Sequence, residues 1–422
     1  MLIEIKVTNF RSIRETQTLS MVASSDKDLV GNTFDTGITG LPKLVRSAAI
    51  YGPNAAGKSN FMAALVFVEN MVTDSAREAQ VGEPIDVQPF RLSASSRNRD
   101  SEFELHFIAE GVRYQYGFTL NSERITSEWL FAYPSGSAQR WFQRRYDAAT
   151  NKDVYKFSAF LDEGKARQER TQHTIANNLY LSVAVQKNSQ KLLPVFSWFQ
   201  KKLRYILSMN HIGVGNTSNL CLEQDGKSNV LAYMNAAGIS VKDLGVDKKI
   251  YSQDDFPKDF PEELKSRLLK DGAARFDTKF LYQDNDSNNL ISFDLEDESD
   301  GTQALFAFAS RWIEMLKNDQ VLFVDEIDSS LHPLLVHHLV KLLNCNNSKA
   351  QLIFTTHDTT LLSQQMLRRD QVWFLEKDKQ QSSQLYSLAE FSPRKNEAIE
   401  KGYLNGRYGA IPFLSKLDFY GE

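Results

Sequence analysis

Two cysteines in 422 residues are too few for a disulfide framework or a zinc cluster. Cys221 and Cys345 stand far apart with no motif around either, which suits a reducing compartment. Long apolar runs are missing too: no stretch of about 18 residues is apolar enough to cross a bilayer. The start, MLIEIKVTNF, alternates apolar and polar residues and does not form the apolar centre of a signal peptide. A cytoplasmic location with no membrane partner is the expectation. Charge of one sign is also scarce. Lys and Arg number 49 against 53 Asp and Glu, a formal net charge of −4. That balance exerts no global pull on nucleic acid, though it leaves room for a local patch. Internal repeats and long low-complexity tracts are absent as well.

What the chain does have is core material. Hydrophobic residues make up 42% and Phe alone numbers 27, enough for two or three domains at about 150 residues each. Ile3, Ile5 and Val7 oppose Glu4, Lys6 and Thr8 with the period of two that marks a half-buried strand. SAAIY (47–51) is a short apolar strand, GPNAAGKS a Gly-rich turn, and NFMAALVFVENMV (60–72) an apolar-faced helix. From about residue 86 to 157 the pattern is extended, with Gly and Asn-Ser turns between β-rich runs. This predicts an antiparallel meander. Helix formers dominate 159–275, as in 162–170 and LLPVFSWFQKKLRYIL (192–207), so a helical lobe is expected there. No heptad persists, which argues against a long coiled coil. The final third alternates helix and strand, including QVLFVD, AQLIFTT, a TLLSQQML helix and QVWFLEK. That order predicts a parallel sheet with helices on its faces.

Chemistry concentrates in a few strings. Gly52-Pro-Asn54-Ala55-Ala56-Gly57-Lys58-Ser59 fits G-x-x-x-x-G-K-[ST] and sits between a strand and a helix. Its glycines let backbone N–H groups turn inward as an anion nest, and the helix adds its positive end. Lys58 is expected on the β- and γ-phosphates and the Ser59 hydroxyl on Mg²⁺, with Asn60 next in line. Val321-Leu-Phe-Val-Asp325-Glu326 is an apolar strand ending in two carboxylates. Asp325 suits a metal partner, and Glu326 suits a base that polarises water.

Ser299-Asp-Gly301-Thr302 opens a helix, with Ser299 at the N-cap position, and makes a second anion-ready end. One nucleotide does not need two such ends in one subunit. The economical reading is that this end meets a nucleotide held by another copy. Thr355-Thr356-His357-Asp358 ends an apolar strand, and His357 suits a γ-phosphate contact. Asp328, Ser330 and His332 follow Glu326 closely and are expected at a subunit boundary. Gln88, in VQPFRL, is a weaker candidate for the metal or the attacking water, and Arg11, in NFRS, for phosphate. Arg140 to Tyr146 mixes basic and aromatic side chains, as nucleic-acid surfaces do; a strand with one solvated basic face explains it equally well. His337 and His338 lie mid-helix with no third ligand.

The ordered set NFRS, GPNAAGKSN, ESDGTQ, VLFVDEIDSSLHP and FTTHD resembles the ABC-type ATPases of the SMC, RecF and OLD group. More narrowly, the starting MLIEIKVTNFRSI, the segment LVRSAAIYGPNAAGKSNFM and the ending YLNGRYGAIPFL look like bacterial abortive-infection ATPases of the AbiLi or RloA type. The resemblance implies an α/β, ABC/SMC-type P-loop ATPase head: a mixed-sheet core with an antiparallel β subdomain and a helical lobe. The expected division is 1–158 (N-terminal ATPase lobe), 159–275 (helical insertion) and 276–422 (C-terminal ATPase lobe with an extension). It also implies ATP and Mg²⁺ as ligands, a homodimer or higher even-numbered oligomer closing around ATP, and a role in antiphage defence. Transferred by motif, Lys58, Glu326 and His357 are catalytic, and Ser299, Gly301 and Thr302 act in trans. Such ATPases are commonly encoded beside an effector, often a Toprim-type nuclease of the OLD kind, and a phage-encoded trigger is a further expected partner.

The signature here is ESDGT where transporters carry LSGGQ, so transporter coupling cannot be borrowed. About 65 residues follow TTHD, with no acidic Toprim pattern, so cleavage of nucleic acid would need a separate protein. The leading expectation is an ATP-driven switch that controls such an effector. A RecF-like repair clamp binding DNA directly is the first alternative. A transporter ATPase, which would place its signature much closer to the phosphate loop, is the second.

Overall fold

The computed structural model describes residues 1–161, 164–209, 212–257, 260–270, 272–329, 331–394 and 397–412. The chain forms two compact units. The larger comprises Met1–Leu207, Asn318–Glu326 and Val340–Glu422, and the smaller Ser208–Lys317 and Ile327–Leu339. Residues 159–207 therefore fall in the larger unit, and the smaller one runs from 208 past the ESDGT helix.

Two sheets build the larger unit. The first has seven strands in the order Lys152–Phe157, Gln139–Asp147, Ile125–Tyr133, Val112–Leu120, Ser101–Ala109, Leu2–Thr8 and Gln17–Ser20. Every neighbouring pair is antiparallel, and the meander expected from 86–157 forms most of it. The second has six strands in the order Leu203–Ile206, Val321–Val324, Gln351–Thr355, Ser47–Tyr51, Val372–Lys377 and Ser383–Ser387. The first five run parallel and the last is antiparallel at the edge. Parallel strands need both faces covered, and Ser47–Tyr51, Val321–Val324 and Gln351–Thr355 are buried at every position.

The helix Lys58–Glu78 ties the two sheets together. Its buried Phe61, Leu65, Val68 and Val72 recur at helical spacing and share one core with Ile50 and Phe323 of one sheet and Phe103 and Phe118 of the other. It is 21 residues long, the longest helix among the described residues, so they contain no long coiled coil. The smaller unit packs a three-stranded antiparallel sheet, ordered Asp243–Ile250, Ala274–Gln283, Leu290–Asp294, with the helices Gly215–Cys221, Gly226–Ala236 and Asp300–Lys317. Phe280 meets Phe306 edge to face there, at 5.4 Å between centroids.

Two local readings change. The helix expected over 192–207 ends at Lys202, and Leu203–Ile206 becomes an edge strand. Four residues are too few for periodicity to separate strand from helix. The TLLSQQML helix reduces to a 3₁₀ turn, Thr359–Leu361. Asp358 Oδ1 accepts from Thr360 N at 3.0 Å and from its hydroxyl at 2.7 Å, which caps the start of this single turn.

Candidate functional site

The Gly-rich loop leaves the inner strand Ser47–Tyr51 under tight constraint. A Cβ on Gly52 would lie 2.1 Å from the Leu375 carbonyl oxygen, so only glycine fits against the neighbouring strand. Ala55 and Gly57 are left-handed, with φ of 62° and 111°. Such alternation of backbone sign turns consecutive N–H groups to one side, as an anion nest requires. The helix begins at Lys58 with no side-chain cap, so its first-turn N–H groups lack intrahelical acceptors.

Lys58 is buried, and its Nζ donates to Gly52 O at 2.8 Å and Pro53 O at 3.3 Å; His357 Nε2 lies 3.3 Å away. Two sequence-derived candidates 299 residues apart thus touch. An ammonium can only donate, so the facing imidazole nitrogen accepts and the ring proton sits on Nδ1. Asn54, Ala55, Ser59 and His357 are exposed around this point, and Asn60 is half-buried.

Asp325 and Glu326 divide at the strand end. Asp325 is buried and Glu326 exposed. Glu326 adopts φ 50°, a left-handed turn that a non-glycine residue enters only when its surroundings demand it. Thr355 supplies the demand. Its hydroxyl donates to Asp325 Oδ1 at 2.6 Å and accepts from Glu326 N at 2.7 Å. One hydroxyl therefore orients the first carboxylate and fixes the turn that presents the second. Asp325 N donates to Ile206 O at 2.8 Å, and Thr356 N to Ile50 O at 3.3 Å, which anchors both strand ends. Reading by string marked His357 but assigned Thr355 nothing. Its place at the end of an apolar strand adjoining the Asp-Glu strand was the available signal.

Arg11 and Gln88 come together, Arg11 N donating to Gln88 O at 2.7 Å. With Ser12, Asn60 and Lys377 they line a cleft of about 350 Å³ beside the start of the phosphate-loop helix. Both side chains are exposed.

The smaller unit holds the other candidates. Ser299 Oγ accepts from Thr302 N at 3.2 Å and lies 2.9 Å from Thr302 Oγ1, a side-chain N-cap on the helix Asp300–Lys317. Ser299 is exposed, Gly301 half-buried and Thr302 buried. Asp328 and His332 also belong to this unit; His332 Nδ1 accepts from Leu334 N at 3.2 Å. Ser330 lies outside the described residues. The basic-aromatic run of 140–146 is only partly a surface. Arg144 is fully buried, pairing with Asp153 at 2.7 Å and donating to Asn178 O at 2.6 Å. Strand alternation turns it inward, which removes it from any nucleic-acid face.

Residues 47–363 match the protein-family model described as "AAA domain, putative AbiEii toxin, Type IV TA system". The chain belongs to this family. It is accordingly a nucleotide-binding ATPase of the P-loop fold. No curated protein matches this AAA-domain chain. Among solved structures it is similar to an SMC head bound to the C-winged helix domain of ScpA, at 13% identity over 93% of this chain and 99% of that one, with a TM-score of 0.44. It is also similar to the SMC head domain from Thermotoga maritima, at 13% identity over 92% and 98%, TM-score 0.40. A third is an Smc head domain with an extended coiled coil bound to the C-terminal domain of ScpA derived from Pyrococcus furiosus, at 13% identity over 93% and 97%, TM-score 0.40. Among the described residues no helix is long and apolar enough to cross a membrane.

Proposed function

We propose that this AAA-domain ATPase is the nucleotide-driven switch of a bacterial abortive-infection system of the AbiLi or RloA type. Two copies close around MgATP, and the closed state controls a separate effector, a nuclease answering a phage-encoded trigger. The infection role is supported by the words of the family description. The switch rests on the site itself.

In this reading MgATP is the substrate. Lys58 leaves its loop carbonyls for the β- and γ-phosphates, and the left-handed Ala55 and Gly57 cradle them. Ser59 and the Thr355-oriented carboxylate of Asp325 suit the magnesium; Asp325 is buried with one oxygen already directed, as an oriented ligand requires. Glu326, exposed on its left-handed turn, aligns the attacking water. His357, now against Lys58, becomes a γ-phosphate contact once the lysine moves. Arg11 and Gln88 act at the margin, through the cleft they share with Asn60.

The observation that carries dimerisation is the Ser299 cap. It is a second anion-ready helix end, exposed, on an element outside the unit that holds the phosphate loop. Ser299, Gly301 and Thr302 of one copy complete the site of another, with Asp328, Ser330 and His332 at the boundary. Direct DNA binding as a repair clamp has weaker support, because Arg144 is committed to the interior.

A mixing experiment tests the trans arrangement. Lys58→Ala and Ser299→Arg proteins should each be inactive alone. Mixed in equal amounts, half the dimers are mixed and hold one intact site, so activity returns to about a quarter of wild type. A mixture as dead as its components would overturn the shared site. Expression with the neighbouring genes of the native operon should co-purify the effector; a chain that always purifies alone would count against the switch.

A further inference from the structure

We infer that Ser12 and Ser383 are positioning residues for the phosphate loop, joined in a hydroxyl relay that aims the Gly57 N–H at the nucleotide. The inference rests on reading the loop as a phosphate cradle.

Neither serine belongs to the loop motif. Ser12 follows the first strand in the NFRS turn, and Ser383 opens the antiparallel edge strand Ser383–Ser387. Ser383 is fully buried and Ser12 half-buried. Ser383 N donates to Ser12 O at 2.8 Å, which locks the two segments backbone to backbone. Ser383 Oγ lies 2.6 Å from Ala56 O and 2.8 Å from Ser12 Oγ, while Asn60 Nδ2 donates to Ser12 Oγ at 2.8 Å.

Ala56 O can only accept, and the Ser383 hydroxyl donates to it at the shorter distance. The same hydroxyl is also the donor toward Ser12 Oγ, so its proton is shared between two acceptors. Ser12 Oγ accepts from the Asn60 amide as well, and so receives both neighbours. The relay starts on the first turn of the phosphate-loop helix and ends on the loop preceding it.

Its effect follows from peptide geometry. In a trans peptide the C=O of Ala56 and the N–H of Gly57 point in opposite directions. Holding the carbonyl toward Ser383 therefore turns the Gly57 N–H away, to the open side of the loop where an anion binds. Space reinforces the choice. A Cβ on Gly57 would lie 2.2 Å from Ser383 Oγ and 2.5 Å from Ser12 Oγ, at a φ of 111°. The two hydroxyls thus set both the residue type and the peptide orientation at Gly57.

The test compares ATP hydrolysis and ATP affinity in Ser383→Ala, Ser12→Ala and the double variant, with Lys58→Ala as a binding control. Ser383→Ala should raise KM and Kd for ATP about tenfold, the worth of one well-formed hydrogen bond, with kcat within about twofold of wild type. Ser12→Ala should raise KM less, because it leaves the Ser383–Ala56 bond in place, and the double variant should be close to Ser383→Ala, which already loses that bond. Ser12→Thr, which keeps the hydroxyl at a half-buried position, should restore wild-type KM. If Ser383→Ala does not fold, Ser12→Ala against Ser12→Thr carries the same test. Unchanged KM in the alanine variants beside normal wild-type binding overturns the relay alone. So does a fall in kcat that tracks only the loss of folded protein. A wild-type chain that binds ATP no better than Lys58→Ala overturns the phosphate-cradle reading and the relay with it.

Discussion

At the scale of single residues, adjacent carboxylates are given different tasks by one threonine. Thr355 spends its proton on Asp325 and its lone pair on the Glu326 amide. Asp325 is held buried and oriented while Glu326 is swung outward. Glu326→Gln keeps the shape but removes the basic oxygen. ATP turnover should fall by about 10²-fold or more with ATP affinity retained. Steady-state hydrolysis together with nucleotide binding on one sample checks both halves, and normal turnover would remove Glu326 from the mechanism. A second residue governs acid stability. Burial alone would raise the carboxyl of Glu104, but hydrogen bonds from His106, Gln115 and Trp129 outweigh it and hold the group at about 2. A depressed native value adds stability above the unfolded value near 4.5, and that stability is lost as pH falls toward about 2. Glu104→Gln should thus cost on the order of 2–3 kcal/mol at neutral pH and about a quarter of that near pH 2.5. Urea unfolding of both proteins across that range reads the difference.

At the scale of elements, the helix Tyr180–Gln186 starts without a cap of its own. Buried Glu128 on the strand Ile125–Tyr133 serves instead, accepting from Tyr180 N at 2.6 Å, Leu181 N at 3.0 Å and the Tyr116 hydroxyl at 3.0 Å. Burial pushes its carboxyl above the usual range, while nearby Arg144 pulls the other way. Glu128→Ala would strand three donors in the core and should lower stability by about 2–4 kcal/mol, measured as a shift in urea midpoint. A change within error would show that the helix needs no cap from the sheet. Such long-range capping is invisible in a string: nothing near residue 180 announces a carboxylate 52 positions earlier.

Elements with a strong local period were legible. The phosphate-loop helix, the inner strands and the meander all follow from alternation or from positions 61, 65, 68 and 72. Leu203–Ile206 was not, because four residues after a Pro194-started helix carry no period of their own. Nothing in the TLLSQQML string shows that its helix stops after one turn. In the site, Lys58 and His357 could be named from their motifs. Thr355, Ser12 and Ser383 could not, since a lone hydroxyl acquires meaning only from what folding brings beside it.

At the scale of the whole molecule, the expected partner is a second copy. The Glu326→Gln protein, loaded with ATP but unable to clear it, should shift from monomer toward dimer on a sizing column, and ADP should reverse the shift. If hydrolysis needed no second copy, ATP would leave the elution unchanged.

The inner sheet also constrains how the chain is made. Ser47–Tyr51 is hydrogen-bonded on one side to Gln351–Thr355 and on the other to Val372–Lys377. A ribosome therefore releases this strand, buried at every position in the folded chain, some 300 residues before either neighbour exists. Until those residues are made, both of its edges lack their native partners. Nucleotide cannot rescue that interval, because the phosphate loop hangs from the same unpaired strand. The nucleotide site therefore cannot assemble until those neighbouring strands have been made, long after its own loop has left the ribosome.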